Sequence, residues 1–321
     1  MKNKAIAVLT SGGDAPGMNA CIRAVVRTSL KNDVQVLGVR RGYDGLISGS
    51  VFEMNFSSVS GIIHRGGTIL YTARSPEFKT PEGLKKASAF CKKQRIGGIV
   101  VIGGDGTFRG ARELGETGIP YVCIPGTIDN DVGYSEYTIG FDTAMNTAIE
   151  MIDRIRDTAQ SHNRCSIVEV MGRRCGRIAL YTGIAVGAVA ILIPEVRFNF
   201  KKDIVEPIMS RLRYGKQHFI VVVSEGVGNI NELAAKIKDE IQIETRTTVL
   251  GHVQRGGAPT LRDRVLASEM GCKAAELLCA GEGNCVLAAK HGRVVKIDAD
   301  KAIGMRKKFK NELYRAALKI R

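Results

Sequence analysis

Short apolar runs that end in glycine or charged residues are the feature that most constrains the fold of this chain. The clearest example is IVVI at 99–102, which leads directly into GGDGT at 103–107. Apolar runs without polar alternation are typical of strands whose two faces are both covered, as in a parallel sheet between helices. Runs of this kind lie at 5–10, 34–39, 97–104, 120–126, 165–170, 189–194 and 218–226.

Segments with helical spacing separate these runs. Two clear ones are MNACIRAVVRTSLKN at 18–32 and TAMNTAIEMIDRIRDTAQ at 143–160. Alternating strands and helices predict an α/β fold, here two doubly wound domains with mainly parallel sheets and helices on both faces. A chain of 321 residues is longer than one core usually needs, which favours two domains.

Composition narrows the function classes. The formal charge of +15 attracts anions, whether nucleic acid or phosphorylated metabolites. Aromatic residues make up only 6% and tryptophan is missing, so we expect no nucleic-acid partner. The basic run RKKFK at 306–310 is interpreted as a solvated helix face.

The apolar runs and the cysteines bear on location. No apolar run free of charge is long enough to span a bilayer, so no membrane partner is expected. The eight cysteines are spread singly without a C-x-x-C pair, which is typical of reduced thiols in the core of a cytoplasmic protein.

The GGDGT loop has the character of a phosphate site. Its glycines let the backbone approach a phosphate, and the amides of the following helix start point toward it. Asp105 would repel that phosphate unless a cation bridges the two, so the loop implies Mg²⁺. The alternative is a plain strand-to-helix turn in which Asp105 is only a cap.

Four further segments place small or charged residues after apolar runs. They are SGGDAPGMN at 11–19, PGTIDND at 125–131, MGRRCGR at 171–177 and SEG at 224–226. A further segment, GHVQRGG at 251–257, joins His252 and Arg255 to a glycine pair. A carboxylate such as Asp129 could accept the proton of a substrate hydroxyl, and arginine forks bind phosphate. Read singly, the same residues also fit ordinary turns, helix caps or a solvated helix face. In such sheets, ligands bind at the carboxyl ends of the strands, where loops of this kind lie. Together the loops therefore favour a site for a charged ligand.

In this order the motifs resemble the ATP-dependent bacterial 6-phosphofructokinases. The resemblance runs from residue 10 to residue 264, and PGTIDND together with GHVQRGG is its most specific part. The similar segments are TSGGDAPGMNA, RGGT, GGDGT, PGTIDND, TIGFDTA, VEVMGR, PEV, TRTTVLGHVQRGG and DR.

The resemblance implies a reaction in which ATP and fructose 6-phosphate give ADP and fructose 1,6-bisphosphate. It implies an ATP-binding domain, 1–138 plus 253–304, and a fructose 6-phosphate-binding domain, 139–252 plus 305–321. Asp105 would hold Mg²⁺. The residues implied to bind ATP are Gly13, Arg74, Ser75, Gly104, Asp105, Gly106 and Thr107.

The resemblance also assigns the catalytic roles. Asp129 would be the base that accepts the proton of the sugar 1-hydroxyl. Thr127 and Arg173 would steady the transferring phosphoryl group, and Arg74 would counter its charge. The residues implied to bind the substrate are Thr127, Ile128, Asp129, Arg164, Met171, Gly172, Arg173, Glu225, Arg246, His252 and Arg255. Arg164 and Arg246 would reach the sugar phosphate from a neighbouring subunit, which implies a homotetramer with shared sites.

Three other functions compete with this interpretation. Pyrophosphate-dependent relatives typically carry Asp where Gly106 stands and Lys where Gly126 stands, so both glycines favour ATP. NAD kinases and lipid kinases share GGDGT but not the Arg/His set or PGTIDND. A basic nucleic-acid binder without catalysis would show duplex binding that falls steeply with salt.

The family's effector site, which takes ADP or phosphoenolpyruvate, is only partly matched. Arg23, Arg27 and Arg156 fit its basic set. The departures from residues common in the family are Phe56 for Arg, Gly61 for Asp, Val189 for Glu and Tyr214 for Lys. Fewer discriminating contacts leave less coupling energy, so we expect weak or absent regulation at this site.

Overall fold

Strands and helices alternate along the chain in this computed structural model, which describes residues 4–321. In chain order they are β1 (Ala5–Thr10), α1 (Met18–Lys31), β2 (Val36–Val39), α2 (Tyr43–Ser48), β3 (Val51–Met54), α3 (Pro81–Lys93), β4 (Ile96–Gly103), α4 (Asp105–Gly115), β5 (Tyr121–Pro125), α5 (Phe141–Ser161), β6 (Cys165–Val170), α6 (Arg177–Ala185), β7 (Ala190–Leu192), α7 (Glu206–Arg213), β8 (Phe219–Ser224), α8 (Ile230–Ile241), β9 (Thr245–Val249), α9 (Leu261–Cys279), β10 (Cys285–Lys290), β11 (Arg293–Asp298), α10 (Ala299–Ala302) and α11 (Asn311–Ile320). Short 3-10 helices lie at Ser57–Val59, Glu77–Lys79 and Gly251–Arg255, and a π-helical segment lies at Lys201–Val205.

The chain divides into two compact units, each built from more than one stretch of sequence. Unit 1 comprises Met1–Ile128, Val132–Thr143 and Arg255–Lys307. Unit 2 comprises Asp129–Asp131, Ala144–Gln254 and Lys308–Arg321. Each unit is described by itself below.

Unit 1 is built on a seven-stranded sheet with the order β11-β10-β5-β4-β1-β2-β3. Its inner strands are parallel, and the edge strands β3 and β11 run antiparallel to their neighbours. Every residue of β1 is buried because helices cover both faces. Leu9 and Val101 pack with Phe108 and Leu114 of α4 on one face. Helices α1 and α9 pack against each other and against the other face.

Unit 2 is built on a four-stranded parallel sheet with the order β7-β8-β6-β9. Ile167 and Val221 point to one face, where they pack with Ile208 of α7 and Ile237 of α8. Helix α6 packs against β6, β7 and β8 and covers the opposite face. The predicted class, doubly wound α/β units with mainly parallel sheets, is therefore confirmed.

The strands that sequence patterning missed are short or lie near an edge. β3 and β11 have no continuous apolar run of the predicted kind, and β9 reads TRTTV with exposed residues. β10 does carry an apolar run, CVLAA, which the patterning overlooked. An edge strand pairs on one side only, so its sequence need not be apolar throughout.

The interpretation of RKKFK at 306–310 as a helix face is wrong. Arg306 forms an isolated antiparallel bridge with Val132, and α11 begins only at Asn311. The buried Arg177 donates a hydrogen bond of 2.9 Å from Nη2 to the Lys308 carbonyl. This contact uses a backbone group that a helix would need, and residues 307–310 form neither a helix nor a strand.

None of the helices in residues 4–321 combines the length and the apolar composition that crossing a bilayer requires.

Asp263 ties the start of α9 to the start of α5 within unit 1. Its buried carboxylate accepts hydrogen bonds from the Gly140 amide at 2.9 Å, the Thr143 amide at 2.8 Å and the Thr143 hydroxyl at 2.6 Å. Burial raises the pKa of the Asp263 carboxyl to about 6, although the hydrogen bonds from Thr143 and Gly140 act in the opposite direction. The residues at the start of α5 are therefore held by a carboxyl group whose ionised form is destabilised by burial.

Replacing Asp263 with asparagine should change how stability depends on pH. A carboxyl with a raised pKa in the folded state contributes stability that is present at low pH and is lost as pH rises to about 6. The free energy of unfolding of the wild type, minus that of Asp263→Asn, should fall by roughly 3 kcal/mol over this range. Denaturant unfolding of both proteins at a series of pH values measures it.

The exposed Asp239, replaced in the same way, is the matched control and should give a nearly constant difference. A difference that stays flat for Asp263→Asn as well would contradict this role of burial.

Candidate functional site

Three loops of unit 1 lie at one edge of its sheet. Strands β5, β4 and β1 are adjacent and parallel, so their carboxyl ends meet there. The Ser11 amide donates to the Ile102 carbonyl at 3.1 Å, and the Gly126 amide donates to the Gly103 carbonyl at 2.9 Å. Because these bonds continue past the ends of the strands, the predicted phosphate loops begin on a rigid base.

Thr107, a predicted ATP ligand, joins two of these loops. Its buried hydroxyl donates to the Ser11 carbonyl at 3.0 Å, and the Tyr43 hydroxyl donates to the Thr107 carbonyl at 2.5 Å. The Thr107 side chain therefore holds the loop in place, and the Thr107 amide donates to the Gly104 carbonyl at 3.0 Å. The amides of Asp105 and Gly106 are the first-turn groups that can face an anion.

Asp105 begins α4 and is partly exposed. One carboxylate oxygen lies 2.7 Å from Nη2 of Arg109, and the other accepts from the Gly304 amide at 2.9 Å. Within residues 4–321 no cluster of three or more His, Cys, Asp or Glu side chains has the arrangement of a metal site. Mg²⁺ usually takes only one or two carboxylates together with substrate phosphates, so a lone Asp105 fits it.

The two glycines that bear on the choice of phosphoryl donor differ in their surroundings. A Cβ added to Gly106 would meet nothing within 4 Å. A Cβ added to Gly126 would lie 2.9 Å from Cγ2 of Ile102 and 3.2 Å from Cε of Met18. Ile102 and Met18 are fully buried. The structure thus leaves open space beside Gly106 but has no room for a longer side chain at Gly126.

Arg255, a predicted sugar ligand, lies beside the first loop of unit 1. A Cβ added to Gly13 would be 3.4 Å from its Cζ. Ser75 accepts a hydrogen bond of 3.2 Å from the Phe78 amide, so its hydroxyl caps a short helix. Arg74 is exposed. The structure therefore brings Gly13 and Arg255 together in unit 1.

Asp129 and Arg173 form the predicted catalytic pair of unit 2. Oδ2 of Asp129 lies 3.6 Å from Nε of Arg173. The side chain of Asp129 is 8% exposed and that of Arg173 is 57% exposed. The preceding residue, Ile128, is itself buried. A substrate that arrives from solvent can contact the exposed guanidinium of Arg173 first, and the nearly buried carboxylate of Asp129 can then act on it.

Glu225 holds the loop that carries Arg173. Its Oε1 accepts from the Gly172 amide at 3.1 Å and from the Arg173 amide at 2.5 Å. Gly172 has φ of 141°, which L side chains rarely adopt. Burial and then the Glu225 charge raise the pKa of the nearby Glu169 carboxyl. Glu225 therefore shapes the Met171–Arg173 turn as well as facing it.

Arg164 and Arg246 meet on one carboxylate, that of Glu244. Nε of Arg164 lies 2.8 Å from Oε2 of Glu244, and Nε of Arg246 lies 2.9 Å from Oε1. Nη2 of Arg246 lies 2.5 Å from the same Oε1. The two predicted phosphate arginines are therefore neighbours within one chain.

Unit 2 holds its predicted ligands at two opposite edges of the sheet. Arg164 immediately precedes β6, and Arg246 is the second residue of β9, so both lie at the amino ends of parallel strands. Met171 follows β6 and Glu225 follows β8, at the carboxyl ends, and His252 is exposed just after β9. The length of β6 separates Arg164 from Met171 by roughly 20 Å at the rise of a parallel strand.

The predicted effector residues are divided between the units. Arg23 and Arg27 lie one turn apart on α1, and Cζ of Arg27 sits 5.8 Å from the ring centroid of Phe56. Arg156, in unit 2, donates to the Val186 carbonyl.

Among the positions that depart from the family, Val189 is buried in the core of unit 2, so it offers no group to a ligand. Gly61 has φ of 66° and Tyr214 is 89% exposed.

Sequence reasoning missed Glu244 and Asp263. Glu244 lies two residues before Arg246, and side chains two apart on a strand share a face, so the ETR spacing could have indicated it. The DR motif contained Asp263, but its partners Gly140 and Thr143 are distant in sequence. Only the fold brings those groups together.

Comparisons with known proteins agree with the resemblance. Residues 5–278 match the family model described as Phosphofructokinase. The chain is 55% identical over 311 residues to a Clostridium botulinum (strain Hall) protein named ATP-dependent 6-phosphofructokinase, and the match covers 97% of each. The predicted family is thereby confirmed.

Solved structures show the same architecture. Phosphofructokinase from Saccharomyces cerevisiae matches with a TM-score of 0.88 at 34% identity. That match covers 98% of this chain and 50% of the yeast chain, so this chain spans half the yeast chain's length. A pyrophosphate-dependent phosphofructokinase from Marinobacter aquaeolei matches with a TM-score of 0.85 at 22% identity, covering 96% of this chain and 86% of that one. At that identity the likeness concerns the fold alone.

Proposed function

The chain belongs to the phosphofructokinase family, and from this premise we propose that it transfers the γ-phosphoryl group of ATP to the 1-hydroxyl of fructose 6-phosphate. The products are ADP and fructose 1,6-bisphosphate, so the enzyme is a 6-phosphofructokinase of glycolysis. The observation that carries the proposal is the full-length similarity to a relative named for this activity, at 55% identity.

ATP binds to unit 1 in this proposal. Its phosphates lie at the first turn of α4, where Gly104 and Gly106 leave the backbone accessible. Gly13 lies in the loop that follows β1. The side chain of Arg255, a predicted sugar ligand, lies beside Gly13. Arg74 and Ser75 complete the predicted nucleotide set. We assign 1–138 plus 253–304 to this function and 139–252 plus 305–321 to the sugar phosphate.

Asp105 is the residue that would hold Mg²⁺. When bound, the ion would neutralise charge on the phosphate oxygens, as in other phosphoryl transferases. Arg109 already pairs with the Asp105 carboxylate at 2.7 Å, which keeps that side chain at the start of α4.

Asp129 takes the proton in this reaction. The 1-hydroxyl oxygen attacks the γ-phosphorus, the bond from that phosphorus to the β,γ-bridging oxygen breaks, and the hydroxyl proton goes to Asp129. Arg173, 3.6 Å from this carboxylate, with Thr127 and Arg74, stabilises the charge of the transferring group. No covalent intermediate is required, because phosphoryl transfer depends mainly on positioning and charge.

The sugar site is shared between subunits of a homotetramer in this proposal. Met171, Gly172, Glu225 and His252 lie at one edge of the unit 2 sheet, and Arg164 and Arg246 at the other. One fructose 6-phosphate is too small to bridge the roughly 20 Å along β6. A second copy of the chain can supply the two arginines to the phosphate.

ATP is favoured over pyrophosphate as donor by the two glycines. A carboxylate at position 106 would put negative charge into the space we assign to the nucleotide phosphates. A lysine at position 126 would collide with the buried Ile102 and Met18. The surroundings of both positions suit the glycines present.

The first test compares the two donors. Wild-type protein with Mg²⁺ should phosphorylate fructose 6-phosphate with ATP and give no turnover with pyrophosphate in a coupled assay. Gly106→Asp should lose most ATP turnover, whereas the neutral isostere Gly106→Asn should keep more of it because open space surrounds this position. Equal or faster turnover of the wild type with pyrophosphate would contradict the proposed donor.

Asp129→Ser should lower kcat strongly, because the base acts in the transition state. General-base catalysis is typically worth roughly 10²–10⁴-fold, and the Michaelis constants should change far less than kcat. Steady-state kinetics with both substrates measure this. A variant that keeps more than about a tenth of wild-type kcat would show that Asp129 is not the base.

Mixed oligomers test the shared site. Asp129→Ser and Arg246→Ala subunits should each be nearly inactive alone at low fructose 6-phosphate. Co-expressed, they should recover up to about a quarter of wild-type activity, because some sites then combine a normal Asp129 with a normal Arg246 from another subunit. If both residues serve a site in one chain, every site in the mixture keeps a defect and no recovery follows.

A further inference from the structure

Glu244 stands between two arginines that the proposed function assigns to the sugar phosphate, yet no role has been assigned to Glu244 itself. Each carboxylate oxygen serves a different arginine, Oε2 for Arg164 and Oε1 for Arg246. Hydrogen bonds from Arg164 and then Arg246 lower the pKa of the Glu244 carboxyl, so it is ionised at neutral pH.

The sheet register sets this arrangement. Cys165 pairs with Thr245 and Ser166 pairs with Arg246 across β6 and β9. Side chains alternate along a strand, so the side chains at 164, 244 and 246 fall on one face. The Cys165 amide also donates to the Glu244 carbonyl at 3.0 Å, which fixes the backbone of Glu244 against its neighbour.

The contacts leave donors for a ligand. An arginine has five N–H donors. Arg164 gives Glu244 only its Nε–H, at 2.8 Å, which leaves the N–H groups of its two terminal nitrogens for other partners. Arg246 uses Nε and Nη2 on Oε1 and retains Nη1. The side chain of Arg246 is 66% exposed and that of Arg164 is 27% exposed, so both arginines are open to solvent, Arg246 more than Arg164.

We infer that Glu244 is a positioning residue that holds the guanidinium groups of Arg164 and Arg246 side by side to receive the 6-phosphate of the sugar. This inference rests on the proposed function, in which both arginines bind that phosphate. Without Glu244 the two positive charges repel each other and each long side chain regains its rotamer freedom.

Two effects of removing Glu244 oppose each other. Losing a negative charge makes the site more attractive to phosphate, but exposed ion pairs are screened and change affinity by at most about fivefold. Ordering two rotamer-rich side chains again on binding costs about tenfold or more in affinity. The loss of positioning is the larger effect, so affinity for the sugar phosphate falls.

The test is Glu244→Gln, which keeps the shape and removes the charge. The KM for fructose 6-phosphate should rise about tenfold, while kcat, the KM for ATP and the melting temperature stay near wild type. Glu240→Gln, an exposed carboxylate close by on α8, is the matched control and should leave all four quantities unchanged. Glu244→Asp, whose shorter side chain cannot span both arginines, should also raise the sugar KM.

A double-mutant cycle separates positioning from a purely structural role. In an Arg246→Ala background, Glu244→Gln should raise the sugar KM by a much smaller factor than in the wild type, since one of its two partners is already gone. An unchanged or lower sugar KM in Glu244→Gln, with wild-type activity intact, overturns the inference alone. A wild type that does not turn over fructose 6-phosphate overturns the proposed function instead.

Discussion

The direction of the strands in unit 2 is the constraint on which the proposed site depends. β6, β8 and β9 are parallel, so all begin at one edge of the sheet and end at the other. Arg164 and Arg246 stand where strands begin, and Met171 stands where one ends. If these residues bind the sugar phosphate as we propose, a single chain cannot complete its own substrate site, and assembly is part of the proposed mechanism.

Unit 1 has the same α/β architecture, and its parallel strands place loops next to one another. Its parallel strands β1, β4 and β5 bring three glycine-containing loops to one edge, and Thr107 bonds one loop to another through the Ser11 carbonyl. The loops can then offer backbone amides and one carboxylate, Asp105, to a charged ligand without a lysine. Rigid loops suit phosphoryl transfer, because its rate depends on placing groups that already carry the right charge.

Much of the fold could be predicted from the sequence, since continuous apolar runs predict buried parallel strands, and the loops after those strands contain the residues of the candidate site. β9 was not predicted because TRTTV is an edge strand with exposed residues. The helix predicted at 306–310 does not form, and a side chain distant in sequence, Arg177, bonds to the Lys308 carbonyl there. Glu225 was predicted as a ligand. The hydrogen bonds that it accepts from the Gly172 and Arg173 amides join residues distant in sequence, so only the fold reveals them.

A structure of the assembled protein with fructose 6-phosphate bound tests directly whether two subunits share the sugar site. We expect Met171, Gly172 and Glu225 of one subunit to surround the sugar, and Arg164 and Arg246 of a neighbouring subunit to contact its 6-phosphate. A phosphate bound entirely by residues of one chain, with Arg164 and Arg246 facing solvent, would contradict it.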